Sequence, residues 1–214
     1  MTSTLTTSTL PTSTLTTSTL STTESTVDRE RAVAALVTAF STDPVIRWLY
    51  PDPDRYLSFF PRLVGLLGGD AFAAGTAEVS PDHTGVALWV APDVASDDDA
   101  VAALFEESID SCRSHAVMAL LEQVVTHHPA GPVWYLPFIG VDPLVQGRGV
   151  GSRLLAAGLA RADRDGLPAY LEASTPRNRA LYLRHGFDVV GELRADDSPP
   201  LWPMLRLPRK DPER

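Results

Sequence analysis

Three closely spaced glycines follow an apolar run of strand length in the second half of the chain. The run ends at Asp142, and Gly147, Gly149 and Gly151 form a tight loop before leucines that recur at helical spacing. The first amides of a helix have no partner inside it, and the aligned peptide dipoles place about half a positive charge there. Glycine also lets the backbone approach a ligand closely. The stretch from Val133 to Gly151 therefore predicts a strand, a loop and a helix that together bind a pyrophosphate.

The spacing of these glycines excludes two common nucleotide-binding loops. A dinucleotide loop requires Gly-x-Gly-x-x-Gly, and a nucleoside-triphosphate loop requires Gly-x-x-x-x-Gly-Lys-Ser/Thr. The segment Gln146-Gly147-Arg148-Gly149-Val150-Gly151 has neither pattern and contains no lysine. On the loop alone, an ordinary turn between a strand and a helix stays open as the alternative.

Two side chains downstream of the loop could move protons. Tyr182 lies on a short predicted helix that Gly186 closes. Glu172 lies near the carboxyl end of a predicted strand, where a carboxylate could take a proton from an amine directly or through water. A structural role stays open for each of them. Tyr182 could be a packed aromatic residue, and Glu172 could anchor a neighbouring backbone or arginine.

These motifs together resemble the GNAT superfamily of N-acetyltransferases, which bind coenzyme A. The resemblance rests on the segment Gln146 to Gly151 and on the Tyr-x-x-x-Gly-Phe motif that ends at Phe187. Over most of residues 130–207 the pattern is similar to that of puromycin N-acetyltransferase-like members. It implies an α/β fold of mixed α+β character, with a central, mostly antiparallel sheet of six or seven strands flanked by about four helices. It also implies transfer of an acetyl group from acetyl-CoA to a primary amine by direct attack.

The resemblance also implies roles for individual residues. Tyr182 would be the general acid that protonates the leaving thiolate, with Glu172 as the candidate general base. The residues expected to contact the coenzyme are Ile139, Gly140, Val141, Gln146, Gly147, Arg148, Gly149, Val150, Gly151, Ser152 and Asn178. The first three would pair with the pantetheine arm and polarise the acyl carbonyl through their backbone. Many members have an asparagine seven residues before the tyrosine, where this chain has Thr175.

The elements that position these residues can be predicted from periodicity. A helix is expected over residues 28–40, and a loop followed by a second helix over residues 45–67. Two strands are expected at residues 75–79 and 85–90, and one long helix from Asp97 to Val124, bent near Ser111. Further strands are expected at residues 169–174, 187–192 and 201–207.

The charge of the chain is unevenly distributed. Its formal net charge is −9, which argues against nucleic acid as a partner. Residues 24–110 carry a net charge of −11, and residues 111–214 one of +2. An acidic wall beside the anion loop favours a small cationic amine as the acceptor. Surface acids that maintain solubility are the open alternative.

The first 23 residues differ from the rest of the chain. Thr-Ser-Thr-Leu occurs four times there, and no charged residue precedes Glu24. Such a segment has too little apolar surface to offset its ordering entropy, so a disordered tail is expected. Residues 24–214 are then expected to form a single acetyltransferase domain.

Other features of the composition bear on location and cofactors. Cys112 is the single cysteine, which fits a reducing cytoplasm, and no apolar run reaches the roughly 18 residues that span a bilayer. We therefore predict a cytoplasmic protein with no membrane partner. His115, His127 and His128 lack carboxylate or cysteine partners at ligand spacing, so no metal is expected. A second copy of the chain, in a homodimer, is left open as a partner.

Two other functions also stay open. One is a non-catalytic, acyl-CoA-binding regulatory module, and the other is an enzyme that acetylates protein N-termini or lysines. The presence of Tyr182 favours catalysis over binding alone. The acidic and aromatic first half of the chain favours a small cationic acceptor over a peptide.

Overall fold

The computed structural model describes residues 16–94 and 97–209 of the chain. The helices are α1 (Thr16–Phe40), α2 (Pro44–Leu49), α3 (Pro53–Gly68), α4 (Asp70–Ala73), α5 (Asp98–Ser108), α6 (Ser111–His127), α7 (Val150–Asp165) and α8 (Pro176–Arg184). The strands are β1 (Ala77–Val79), β2 (Gly85–Val90), β3 (Trp134–Val141), β4 (Ala169–Ala173), β5 (Asp188–Val189) and β6 (Trp202–Arg206). A turn of 3-10 helix, Pro143–Val145, follows β3.

The six strands form one mixed sheet in the order β1-β2-β3-β4-β6-β5. Neighbouring strands are antiparallel except for β3 and β4, which are parallel. A parallel pair needs a crossover connection, and α7 provides it. The predicted anion loop therefore lies where the chain leaves β3 and enters the crossover helix.

Helices cover both faces of the sheet and form a separate core on each. On one face, α1, α3, α5 and α6 pack over Val86, Leu88 and Phe138. On the other face, α7 and α8 pack over a core that includes Ala87 and Trp89. Successive side chains of a strand point to opposite faces, so β2 contributes alternately to the two cores. This accounts for its continuous apolar sequence.

A β-bulge in β3 changes the face to which its side chains point. Between two consecutive pairs of the β2–β3 ladder, β2 has one residue and β3 has two, Leu136 and Pro137. Proline has no N–H group for the ladder and is tolerated at such a bulge. Leu136 packs in the core under α7, whereas Phe138 packs in the core under α1. Without the bulge, these two residues would share a face.

The parallel strands β3 and β4 separate after two residue pairs. Trp134 pairs with Ala169 and Tyr135 with Tyr170, and the ladder ends there. Within the described residues, the second half of β3 has no strand on this side. Its backbone N–H and C=O groups therefore form a free edge next to the carboxyl end of β4.

The predicted fold class is confirmed, with six strands in a mostly antiparallel mixed sheet. The described residues form eight α-helices where about four were expected. The helix expected from Asp97 to Val124 is divided into α5 and α6, because Ile109 and Asp110 have extended backbone conformations. The segment after Asp43 begins with α2, where a loop was expected.

Residues 1–15 of the predicted disordered tail lie outside the described residues, and α1 begins at Thr16. The division into a tail of 23 residues and one domain therefore stays a prediction. Among the helices of residues 16–94 and 97–209, none combines the length and the hydropathy that a bilayer-spanning segment needs.

Candidate active site

The free edge of β3 lines a cleft of about 300 Å³. The loop before α7, the first turn of α7, one side of α8 and the end of α1 form the rest of its wall. Eleven of the thirteen predicted site residues line this cleft, namely Ile139, Gly140, Val141, Gln146, Gly147, Gly149, Val150, Gly151, Ser152, Asn178 and Tyr182. The other two, Arg148 and Glu172, are not part of its wall.

Helix α7 begins at the cleft without a side-chain cap. Its N-cap is Gly149, with φ of 78°, and no side chain accepts a hydrogen bond from the first amides. Gly147 has φ of 79°. Glycine adopts this left-handed conformation at little cost. The amides from Val150 to Ser152 have no partner inside the helix, so this end of α7 is suited to bind an anion.

The Gln146 side chain connects the loop to two neighbouring elements. Its Nε2 donates to the Val141 carbonyl at 3.0 Å, and its Oε1 accepts from Arg177 Nη1 at 2.7 Å. Arg177 is thereby held at the wall of the cleft, where Arg184 also lies. Neither arginine was predicted from the sequence. Both lie close to the uncapped end of α7 and add positive charge to it.

The first turn of α7 also contacts the end of α8. The Ser152 hydroxyl and His185 Nε2 are 2.6 Å apart. Burial, followed by the charges of Arg184, Arg209 and Arg206, lowers the pKa of His185. A neutral imidazole can accept a hydrogen bond from the Ser152 hydroxyl through Nε2. The pair ties the anion-binding helix to the helix that carries Tyr182.

The backbone N–H and C=O groups of successive β3 residues point alternately to β2 and to the cleft. The Asp142 N–H donates to the Thr84 carbonyl at 2.7 Å, on the side of β2. Backbone groups alternate along a strand, so Gly140 also points to β2, whereas Ile139 and Val141 point to the free edge. A chain bound along this edge would therefore pair with Ile139 and Val141. The backbone of Gly140 is already used in the ladder.

Gly140 has a different role, which follows from its packing against α1. A Cβ atom at this position would lie 2.7 Å from Ala39 Cβ and 3.0 Å from Leu36 Cδ2. Real Cβ atoms do not approach other carbons so closely. The absence of a side chain at Gly140 lets α1 lie directly on β3 and bring its last turn to the cleft.

The position of Tyr182 is fixed at both ends of α8. The Thr175 hydroxyl accepts from the Asn178 N–H at 3.1 Å, so Thr175 caps the helix. At the other end, the Phe187 N–H donates to the Tyr182 carbonyl at 3.1 Å, and Gly186 has φ of 89°. This is a Schellman motif, in which a left-handed glycine ends the helix. The Tyr-x-x-x-Gly-Phe signature is therefore also a helix-ending signal.

The Tyr182 side chain is only 4% exposed, yet it lines the cleft. Burial, with a smaller contribution from the charge of Asp43, raises the pKa of its hydroxyl above the ordinary tyrosine value. Within the described residues, no side-chain hydrogen bond influences that pKa. The hydroxyl therefore keeps its proton at neutral pH and can donate it to a ligand in the cleft.

Asp43 is a second titratable group in the cleft, and it was not predicted from the sequence. Its Oδ1 accepts from the Val45 and Ile46 amides at 3.0 and 3.1 Å and caps α2, while Oδ2 accepts from the Ser174 hydroxyl. Burial raises the pKa of Asp43, although these hydrogen bonds, that of Ser174 first, lower it. In the sequence, an aspartate before a proline is a common pattern at the end of a helix and indicates no site. The cleft thus combines a carboxylate of raised basicity with a protonated tyrosine.

Glu172 lies outside this cleft, on β4. Its Oε2 accepts from the Tyr135 hydroxyl at 3.0 Å. Burial raises the pKa of Glu172 to about 7, although the hydroxyls of Tyr135 and Tyr170 lower it. Ser174, the partner of Asp43, follows two residues later, just beyond the end of β4. Arg148 is exposed, and only its carbonyl takes part in the loop, as an acceptor from Arg153 at 3.3 Å.

Metal-ligating side chains do not converge in this site. Across the residues that the structure describes, no group of three or more histidine, cysteine, aspartate or glutamate side chains could hold an ion. The polar groups that line the cleft are backbone amides, two arginines, two carboxamides, two hydroxyls and one carboxylate.

Comparisons with known proteins agree with this geometry. A model of the acetyltransferase (GNAT) family matches residues 50–187. An uncharacterised N-acetyltransferase of Schizosaccharomyces pombe is 25% identical over 207 residues, which cover 86% of this chain and 81% of that protein. A Corynebacterium glutamicum structure, named histone acetyltransferase HPA2 and related acetyltransferase, matches with a TM-score of 0.61 and 27% identity. That match covers 87% of this chain and 94% of the other.

A third protein shares the fold alone. The polyamine N-acetyltransferase of Drosophila melanogaster matches with a TM-score of 0.58 and 13% identity, over 85% of this chain and 95% of that one. None of these matches tests the puromycin N-acetyltransferase-like pattern, which stays a prediction. The matched family segment spans more than half of the chain and contains both the glycine loop and Tyr182. This chain belongs to the GNAT family of acetyltransferases.

Proposed function

We propose that this protein transfers the acetyl group of acetyl-CoA to a primary amine of a small cationic molecule. The observation that carries the proposal is the convergence of three features in one cleft. These are the uncapped N-terminus of α7, the protonated hydroxyl of Tyr182 and the buried carboxylate of Asp43. Membership of the GNAT family supports acetyl-CoA as the donor, and the name of the polyamine N-acetyltransferase neighbour supports a small amine as the acceptor.

The cleft has the groups that a coenzyme A molecule requires. The first amides of α7 bind the pyrophosphate, and Arg177 and Arg184 add charge for the phosphates. The free edge offers the N–H groups of Ile139 and Val141 and the C=O group of Ile139 to the amides of the pantetheine arm, whereas the Val141 carbonyl already accepts from Gln146. An N–H group of this edge can also polarise the acetyl carbonyl. The coenzyme supplies the activated acetyl group, and the protein supplies position and protons.

The reaction requires two proton transfers. A bond forms between the amine nitrogen and the acetyl carbon, and the bond from that carbon to sulfur breaks. Asp43 accepts the proton that the amine loses, directly or through a water molecule, because its raised pKa makes it a better base. Tyr182 donates its hydroxyl proton to the departing sulfur and recovers a proton from solvent. Asp43 is preferred to the predicted base Glu172 because Asp43 lines the cleft beside Tyr182.

The proposal is tested by incubating the protein with acetyl-CoA and a panel of acceptors. The panel contains alkyl monoamines, diamines, aromatic amines and a lysine-containing peptide, with thiol release and product mass as the readouts. We expect acetylated small amines together with stoichiometric thiol. Acetylation of the peptide alone would favour a protein acetyltransferase. Coenzyme binding without product from any acceptor would favour a non-catalytic binding module.

A further inference from the structure

Four side chains form a cluster on β3 and β4 that is separate from the wall of the cleft. This distal cluster consists of Tyr135, Tyr170, Glu172 and His128. Tyr135 and Tyr170 face each other across the parallel pair, with ring centroids 6.0 Å apart. The exposed ring of His128 lies edge-on to both, at 5.3 and 5.0 Å. Glu172 lies on the same face of β4 as Tyr170, two residues further along.

Two oxygens of the distal cluster are buried and unpaired. In the part of the chain that the structure describes, neither Glu172 Oε1 nor the Tyr170 hydroxyl has a hydrogen-bond partner of good geometry. The Tyr170 hydroxyl is nevertheless close enough to Glu172 to lower its pKa. The Tyr170 side chain is 0% exposed. Buried polar atoms are paired in nearly all folded proteins, and an exception requires a specific reason. Two such oxygens on neighbouring residues of one strand face indicate a shared partner that binds between them.

A protonated amine has the chemistry that these groups require. One ammonium group has three N–H donors, so it can bond to Glu172 Oε1 and to the Tyr170 oxygen at the same time. It neutralises the carboxylate, and the rings of Tyr135 and Tyr170 favour a cation over their faces. An anion would be repelled by Glu172. None of the ion pairs among the described residues involves Glu172.

The distal cluster is also close to the proposed reaction centre. Glu172 precedes Ser174 by two residues, which is about 7 Å of extended chain. The Ser174 hydroxyl bonds to Asp43, which lines the cleft beside Tyr182. Asp43 therefore approaches β4 two residues beyond Glu172, and an acceptor that reaches from one carboxylate to the other along this end of the strand needs only a short alkyl chain.

We propose that the distal cluster binds a second cationic nitrogen of the acceptor, so that the substrates are short aliphatic diamines. The inference rests on the proposed function for the position of the first nitrogen. Glu172 and the Tyr170 hydroxyl are then specificity groups that touch the amine that is not acetylated. They select a doubly charged acceptor over a monoamine of the same length.

The test compares 1,4-diaminobutane with n-pentylamine, in which a methyl group replaces the second ammonium. Both are titrated by calorimetry into the full chain saturated with coenzyme A, so that no turnover occurs. We expect the wild type to bind the diamine more tightly. Glu172→Gln should weaken diamine affinity by about 30-fold or more, because a buried ammonium loses its charged partner, and should change monoamine affinity much less. Asp165→Asn is the matched control, because Asp165 accepts from Trp134 Nε1 at 3.0 Å on the other face of β3.

Tyr170→Phe provides a second variant that should fold normally. Among the described residues, its hydroxyl has no hydrogen bond of good geometry, so its removal should cost little stability and keeps the ring packing. If the hydroxyl is a ligand, diamine affinity should fall by about 10-fold or more, because hydrogen bonds to charged groups are among the stronger ones. Tyr50→Phe, which removes a buried hydroxyl 3.1 Å from Ser108 Oγ, should leave the diamine-to-monoamine ratio unchanged.

Three results would overturn the inference. The first is equal affinity of the wild type for the two amines, and the second is an unchanged affinity ratio in both variants, as expected if water satisfies the two oxygens. The third is an equal fall in kcat/KM for both amines when Glu172→Gln is assayed with acetyl-CoA, because this result would identify Glu172 as the general base. Because the titration contains no acetyl donor, diamine binding without turnover would count against the proposed function alone.

Discussion

The Ser174 hydroxyl donates a hydrogen bond to the Asp43 carboxylate, although 131 positions separate the two residues in the sequence. The contact joins the end of β4 to the start of α2. One oxygen of Asp43 caps α2, and the other accepts a hydrogen bond from the Ser174 hydroxyl. A residue that looks like a helix cap thereby holds a buried carboxylate beside Tyr182 in the cleft.

Asp43→Asn separates the capping role from the basic role of this residue. Asparagine caps helices as well as aspartate does, so stability should change little. Because the amide cannot accept a proton from the amine, kcat should fall by about 10²–10⁴-fold. Coenzyme A affinity, measured by calorimetry, should be unchanged.

Asp52→Asn is the control for this substitution. Asp52 caps α3 by accepting from the Arg55 amide at 2.9 Å, and it does not line the cleft. It should retain wild-type turnover. Equal activity of the two variants would show that Asp43 is only a cap.

Gly149→Ala tests the anion site at the start of α7. An alanine at φ of 78° is strained by about 1–2 kcal/mol, and its Cβ would lie 3.3 Å from Arg153 Nη1. Because the strain favours a different loop conformation, we expect coenzyme A affinity to fall by about 10-fold or more. Gly166→Ala is the matched control, because it has φ of 67° at the other end of the same helix and open space around it. If Gly149→Ala and Gly166→Ala lose similar stability and bind coenzyme A with similar affinity, the pyrophosphate binds elsewhere.

The glycine loop and the Tyr182 segment could be predicted from the sequence because their geometry is local. Left-handed glycines and capping residues act over one or two turns, and Gly149, Thr175 and Gly186 are examples. Asp43 could not be predicted as a site residue, because its place depends on contact with Ser174 across the sheet. The sequence shows only an aspartate before a proline, a pattern that is common at helix ends.

The bulge in β3 was also not predictable from the run of apolar residues. Leu136 and Pro137 are read as part of an ordinary strand until the pairing with β2 is known. The same holds for Gly140, whose role depends on how closely α1 approaches it. Long-range packing therefore determines which backbone groups of β3 face the cleft.

The ion pair of Asp163 and Arg206 is expected to stabilise the second half of the domain. The guanidinium donates to both carboxylate oxygens at 2.8 Å, and Arg206 is only 3% exposed. Asp163→Asn leaves this buried charge without its partner, so the free energy of unfolding should fall by about 3 kcal/mol in urea titrations. Since Arg206 lowers the pKa of Asp163, this stabilisation is present above the ordinary carboxyl range and is lost as the pH falls below it.

Glu107→Gln is the control for that ion pair. Glu107 forms an exposed pair with Arg62 at 2.6 Å, and solvent screens such pairs. Its loss should therefore change stability much less than the loss of Asp163. A similar change in both variants would contradict the importance of burial at Arg206.

The raised pKa of Glu172 predicts a pH dependence of stability with a definite sign. A carboxyl group with a folded pKa of about 7, above its unfolded value, stabilises the protein at low pH and loses this contribution as the pH rises. The free energy of unfolding of Glu172→Gln minus that of the wild type should therefore increase by about 2–3 kcal/mol from pH 5 to pH 8. Urea titrations at both values measure the difference.

Glu192→Gln should show almost no such change between pH 5 and pH 8, because a carboxyl group with a lowered pKa loses its contribution to stability only below the ordinary carboxyl range. Its hydrogen bond with Arg194 lowers the pKa of Glu192, so its contribution to stability is retained as the pH rises. A difference between wild type and Glu172→Gln that does not vary with pH would show that Glu172 has an ordinary pKa.

The general-acid role of Tyr182 is the central claim, and the turnover of Tyr182→Phe tests it most directly. The substitution keeps the ring, its packing against Phe187 and the end of α8, and removes only the proton donor. With the best acceptor of the amine panel, we expect kcat to fall by about 10²–10⁴-fold while coenzyme A affinity stays within about twofold. A variant with the kcat of the wild type would contradict the assignment of Tyr182 as the acid.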